Sequence, residues 1–410
     1  MRGPLRHRSF ALYQGVRLLS VNAIQLLSVA IGWIVYERTE DPLSLGLVGL
    51  AQFAPFAALL PVAGDLADRV DRKAILAACH GAIALTALLL AWLVAHPALG
   101  TTPIYATLTL FGIARAFAGP AAQAFIPALV PAAELAPAIA LSSTVFQIAT
   151  ITGPALAGVL LSTSIEGAPF ALAGVVEIVV VGLLVALRYE PEARPAARGG
   201  ALERLFAGVR YVRAHRVLLG ALSLDLFAVL LGGAVALMPV YARDVLHVGS
   251  EGLGLLRAAP AVGAGLVAAA LALRPLRRRA GLVMFACVGL FGLSTVVFGL
   301  SRDFSVSLLA LAVLGGADMV SVVVRQTVVQ IATPPDMRGR VAAVNLVFIG
   351  ASNELGELES GLTAAWLGAG PAVVAGGLGA IAVTLVWAWA FPELRRVDRL
   401  EEAHDSSAPA

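Results

Sequence analysis

Lysine is almost absent from this chain of 410 residues: Lys73 is the single example. Arg72, not glycine, precedes it, so no Gly-Lys-Ser/Thr phosphate loop exists and ATP hydrolysis by such a loop is excluded. Cysteine is equally scarce. Cys79 and Cys287 lie in separate apolar runs, which argues against a disulfide framework. The six histidines are scattered, with no metal-ligand spacing relative to the cysteines. No nucleophile–base constellation stands out either, so neither an enzyme nor a cofactor is expected. Charge is the last deficit. Only 13% of the residues are charged, against roughly a quarter in a soluble domain.

What remains is apolar. Hydrophobic residues make up 59% of the chain and the mean hydropathy is +0.88. A helix crosses the hydrocarbon core in about 20 residues, and twelve runs reach that length, from 10–36 to 372–391. They are continuous and rich in Ala, Leu and Val, without the period-two alternation of a membrane barrel. The expected fold is an all-α membrane protein with twelve transmembrane helices. The run after Arg2, Arg6 and Arg8 is longer than a signal-peptide core and reads as the first membrane helix. Basic residues crowd the loops on the N-terminal side, while Arg38, Arg243 and Arg302 fall on the other side. By the positive-inside rule both termini face the cytoplasm. The sequence pI near 9.1 reflects these loop arginines, not a nucleic-acid face.

The stretch 189–216 is the only long polar segment between spans. Its prolines and glycines suggest a flexible start, and Leu202, Leu205, Phe206, Val209 and Val212 then recur at helical spacing. It joins two six-helix halves, 1–188 and 217–391, and a polar tail follows at 392–410. The halves repeat. At a shift of 208, Leu45-Gly46-Leu47 meets Leu253-Gly254-Leu255, and Ala78-Cys79 meets Ala286-Cys287. After the third-to-fourth connection the shift becomes 203, and Gly112, Gly153 and Gly158 meet Gly315, Gly356 and Gly361. Parallel six-helix repeats are an architecture of secondary transporters.

Three motifs carry a resemblance. The loop Gly64-Asp65-Leu66-Ala67-Asp68-Arg69-Val70-Asp71-Arg72-Lys73 is similar to the signature between helices two and three of the major facilitator superfamily, with Asp71 where that family has glycine. Arg115-Ala-Phe-Ala-Gly119 resembles its buried-arginine motif. Gly153-Pro154-Ala-Leu-Ala-Gly158 resembles a motif of its antiporters, although Ala149 stands where a glycine is usual. Leu224-Asp225-Leu226-Phe227, Leu256-Arg257-Ala258-Ala259-Pro260 and Met337-Arg338-Gly339-Arg340-Val341 resemble the enterobactin-exporter-like branch, whose members are implied to be exporters. The resemblance implies that Gly64, Asp68, Arg69, Arg72 and Lys73 form a cytoplasmic latch, and that Gly153, Pro154 and Gly158 form a helix bend. It also implies that helices one, four, seven and ten line a central path.

Charges inside apolar spans are costly unless paired or hydrated, so each is a functional candidate. The repeat superimposes Arg17 on Asp225 and Arg115 on Asp318. Two readings stand: pairs inside each half, or pairs across the path that break and re-form as the halves rock. In the second, Asp225 and Asp318 are the proton carriers. Glu354 and Glu357 share one face of the acidic eleventh span, and Arg325 is a candidate partner for one of them. Arg257 and Glu177 read as interfacial or locally paired. The expected activity is secondary active export of a drug-, siderophore- or metabolite-like small molecule by proton antiport. A proton-coupled importer and a non-transporting membrane sensor are the alternatives. The expected partners are substrate, protons and membrane lipid, with no nucleic acid, for a monomer in the bacterial cytoplasmic (inner) membrane.

Overall fold

The computed structural model describes residues 3–397, apart from 164, 189–200, 275, 277, 278, 335 and 336, and it leaves out the side chains at 60, 61, 65, 67–69, 201, 202 and 204. The expected flexible start of the linker and most of the tail therefore lie outside the described residues, as do the side chains of Asp68 and Arg69.

All regular structure among the described residues is helical. Six helices come first: α1 (Arg8–Thr39), α2 (Pro42–Arg69), α3 (Arg72–Val94), α4 (Thr102–Phe125), α5 (Leu135–Leu161) and α6 (Ala168–Ala186). The linker helix α7 (Ala201–Ala214) follows, then α8 (Arg216–Leu231), the single turn α9 (Met238–Val240), α10 (Gly249–Leu273) and α11 (Ala280–Leu300). The chain continues through α12 (Phe304–Ile331), α13 (Arg338–Leu367), α14 (Ala369–Ala390) and the short α15 (Pro392–Arg395). Ten of these are long and apolar enough to cross a membrane, or eleven when the bent pair α7–α8 counts as one span. The acidic α13 is not among the ten, yet its 30 residues would reach about 45 Å at 1.5 Å per residue.

One expected span is corrected. The seventh, read as continuous over 217–242, stops at Leu231 and resumes at Met238. Gly232-Gly233 sits at the break. Glycine loses most backbone freedom on entering a helix, and here close neighbours also exclude a side chain. A Cβ on Gly232 would fall 2.8 Å from the Ala228 carbonyl oxygen, and one on Gly233 2.9 Å from the Gly356 carbonyl oxygen.

The chain forms two compact units. Unit 1 holds 1–40, 51–201 and 249–258; unit 2 holds 41–50, 202–248 and 259–410. Each unit thus takes in the first turns of one helix from the other repeat. Within the units, the same contact recurs at equivalent positions. Gly112 lies against the Gln52 carbonyl in unit 1, and Gly315 against the Pro260 carbonyl in unit 2. Gly153 faces the Asn22 carbonyl as Gly356 faces that of Leu230, and Gly174 faces Leu88 as Gly377 faces Val296. Every partner pair is separated by the shifts read from sequence. Backbones that meet at glycine pack by dispersion, the force left when lipid replaces water around a helix.

These contacts predict opposite outcomes for two alanine substitutions. A Cβ on Gly263 would overlap the Ala312 carbonyl, whereas one on Gly182 has nothing within 4 Å. Gly263→Ala should lose about 1–3 kcal/mol through overpacking, and Gly182→Ala should be neutral or gain up to about 1 kcal/mol. Thermal unfolding in detergent measures both.

Candidate functional site

The signature loop anchors helix ends within unit 1. Asp71 caps α3, its carboxylate accepting from the Lys73 backbone N–H at 3.1 Å. Arg72 is buried and donates to the Ala124 carbonyl at 3.0 Å, at the last turn of α4. Lys73 Nζ donates to the Val185 and Leu187 carbonyls at 2.9 and 2.8 Å, at the end of α6. Two cations thus meet the carbonyl ends of two helices, where the dipole favours positive charge. Gly64 has open space around it.

The bend motif packs rather than breaks its helix. Pro154 is buried and α5 runs unbroken through it. A Cβ on Gly153 would fall 2.7 Å from Gln25 Cβ on α1, and one on Gly158 would fall 2.8 Å from the Ser250 carbonyl of α10. The α1–α5 contact is also polar. Gln14 donates to Ser142 at 2.9 Å and Thr152 donates to the Asn22 side chain at 2.7 Å.

Arg115 and Arg17, the intramembrane arginines singled out in unit 1, stand beside aromatic and amide groups. Arg115 on α4 donates to Gln52 Oε1 at 3.3 Å, and its guanidinium carbon lies 5.7 Å from the Phe111 ring centroid. Arg17 on α1 sits beside the Tyr13 hydroxyl, and its Nε has no hydrogen-bond partner. Phe53 and Phe56, on the same helix as Gln52, have centroids 6.5 Å apart.

Unit 2 holds the charge pair. Asp225 on α8 and Arg325 on α12 are 7% and 3% exposed and form an ion pair. Sequence reasoning sought the partner of Arg325 in the acidic eleventh span; the structure supplies Asp225 instead. The equivalence of Arg17 and Asp225 explains part of this. In unit 1 the position matching Arg325 is Ala122, so Arg17 has no charged counterpart there. Asp318 lies seven residues before Arg325, on the same face of α12 and about 10 Å along its axis. Buried Ser321 lies between them. Asp318 is half-buried, and among the described residues of unit 2 no cation pairs with it. The amide that serves Arg115 has no equivalent here, because Pro260 replaces Gln52.

On α13, Glu357 is held against the start of α2: a Cβ on Gly49 would fall 2.8 Å from its Oε2. Glu354 is half-buried one turn earlier. Ser321, Gln52 and Phe111 escaped the sequence reading. The spacing of Asp318, Ser321 and Arg325 marks one helix face and was the available signal; nothing in sequence singled out Gln52.

Residues 2–409 match the family model described as "Transmembrane secretion effector". Among curated proteins the chain is 29% identical over 398 residues to the enterobactin exporter EntS of Citrobacter koseri, covering 95% of this chain and 93% of that one. It is also 29% identical over 339 residues to EntS of Shigella boydii serotype 18, covering 82% and 80%. Among solved structures it resembles a bacterial homologue of the human lysosomal transporter Spinster, with a TM-score of 0.73, 17% identity and full coverage of both chains. A POT family transporter in complex with 5-aminolevulinic acid aligns with a TM-score of 0.75 at 11% identity, over 94% of this chain and 96% of that one. These last two likenesses concern the fold.

The ion pair predicts strong coupling. Removing either Asp225 or Arg325 leaves the other charge buried, at a typical cost of about 3–5 kcal/mol, whereas removing both is far milder. A double-mutant cycle on unfolding in detergent should therefore show Asp225→Ala and Arg325→Ala losses well short of additive. Additive losses would refute the pair.

Proposed function

The chain belongs to the transmembrane secretion effector family of the major facilitator superfamily, and from that premise we propose that it exports an acidic, aromatic small molecule of the siderophore kind in exchange for protons. It is a multi-pass membrane transporter and not an enzyme. The twelve long segments α1–α6, α8, α10–α14 carry the superfamily's twelve-helix fold.

The observation that carries the proposal is the buried Asp225–Arg325 pair. A proton reaching Asp225 neutralises the carboxylate and releases Arg325. Loss of that proton restores the pair. One proton therefore separates two states of the α8–α12 contact, which is the bistable element that coupling requires. Asp318, half-buried on the same face of α12, is the proton's station toward water.

The two repeats carry opposite charge at matching positions, and this divides the labour. Unit 1 contributes Arg17 and Arg115 with Phe53, Phe56 and Phe111, a set suited to carboxylates, catecholates and aromatic rings. Unit 2 contributes the proton-carrying carboxylates. The names of the relatives favour export and a siderophore-like cargo. Glu354 and Glu357 are assigned to the same path, and the Arg72 and Lys73 anchors hold α3, α4 and α6 together as the cytoplasmic latch of unit 1. The arginine distribution supports both termini on the cytoplasmic side, and the bacterial relatives support an inner-membrane location.

The test is flux in proteoliposomes carrying an imposed proton gradient, with enterobactin as the first probe, followed by a panel of catecholates and amphiphiles. Antiport predicts accumulation in vesicles with an acidic interior, abolished by a protonophore. Asp225→Asn and Asp318→Asn, at equal protein content, should reduce gradient-driven accumulation to the level of protein-free vesicles. Accumulation that follows the proton inward would establish an importer. No flux of any compound under any gradient would leave the membrane sensor.

A further inference from the structure

The contact between α3 and α6 in unit 1 contains a buried acid and base that the transport reading does not use. His80 Nδ1 lies 2.7 Å from Glu177 Oε2, a spacing typical of charge-assisted hydrogen bonds. Glu177 is 0% and His80 7% exposed, so the imidazole is the side of the pair that reaches out of the contact. Each sits near the middle of its helix. Glu177 Oε1 is buried with no hydrogen-bond partner.

The other repeat shows that the fold does not need this pair. Its equivalent helices, α11 and α14, pack against each other with the same Gly377–Val296 contact that Gly174 makes with Leu88. At the shifts that match those contacts, His80 corresponds to Val288 and Glu177 to Ala380. Both are buried. An apolar pair therefore fills this contact in one unit, and a titratable pair fills it in the other.

We propose that His80 and Glu177 form a proton-binding site inside the α3–α6 contact, holding one exchangeable proton apart from the Asp225–Arg325 pair. With the proton bound, the pair is neutral overall, whether written as imidazolium and carboxylate or as imidazole and carboxylic acid. When the proton leaves, a net negative charge remains on a carboxylate with one oxygen unpartnered. That uncompensated charge sits in a contact closed to water, where it costs free energy unless a proton returns. The neighbouring titratable groups at this depth are few. Cys79 lies on α3, Tyr13 and Arg17 on α1, and Arg115 on α4, whose Tyr105 stands at the other end of that helix; α5 has none. Tyr13 and Cys79 share one buried cluster with Val180 and Leu184 of α6, Tyr13 donates to the Ala122 carbonyl, and Arg115 donates to Gln52.

The test needs no substrate. Infrared difference spectra of the reconstituted full chain, recorded across roughly pH 5–8, report the gain and loss of protons at carboxyl and imidazole groups. The wild type and Asp225→Asn should share a pH-dependent component that is missing from Glu177→Gln. The double variant His80→Val/Glu177→Ala, which carries the residues of the other repeat, should keep the wild-type melting temperature and lack the component too. Identical difference spectra in wild type and Glu177→Gln, or in wild type and the double variant, would overturn the site. Failure of proton-coupled flux would leave this site untouched, and failure here would leave the antiport reading untouched.

Discussion

A charge inside a membrane-spanning helix has no water to return to, so it must find an opposite charge, a dipole or a wet cavity. The Asp225–Arg325 pair is the fullest expression of that constraint in this chain. Both residues are almost completely buried, 100 positions apart in sequence, and each is the other's counter-charge. Such a pair contributes little net stability compared with an apolar contact of the same volume. That balance is the ground for the proposed switching role, in which one proton on Asp225 would dissolve the pair.

The repeat gives this argument an internal control. Glycine-to-carbonyl contacts recur at matching positions of the two units, from Gly112 and Gly315 to Gly153 and Gly356, so the backbone scaffold is duplicated. The charges are not. Arg17 answers to Asp225, Arg115 to Asp318, and His80 with Glu177 to Val288 with Ala380. Close packing sets what both halves must share; the departures mark what each half does separately. At the matching intramembrane positions unit 1 carries Arg17 and Arg115 while unit 2 carries Asp225 and Asp318, and the proposed division between anionic cargo and proton rests on that contrast.

Much of this was legible in the sequence. Apolar length revealed most of the spans, and the constant shifts revealed the repeat, because glycines recur where the helices approach closely. The break after Leu231 was visible as Gly232-Gly233 but was hidden by the apolar residues around it. Partner choice was less readable. Registers along one helix follow from spacing, but the rotation of α8 against α12, which joins Arg325 to Asp225 and not to the acidic α13, depends on tertiary packing. The same holds for Arg72 and Lys73: the family resemblance implied a latch, while their carbonyl partners at the ends of α4 and α6 emerge only from the fold.

Proton release on cargo binding tests the central claim most directly. Purified protein in weakly buffered detergent is mixed with its transported substrate while the bulk pH is followed. If binding and protonation compete through the Asp225–Arg325 pair, the wild type releases protons as substrate binds, and Asp225→Asn binds substrate with that release lost. Equal proton release by wild type and Asp225→Asn, at equal substrate occupancy, would contradict the account.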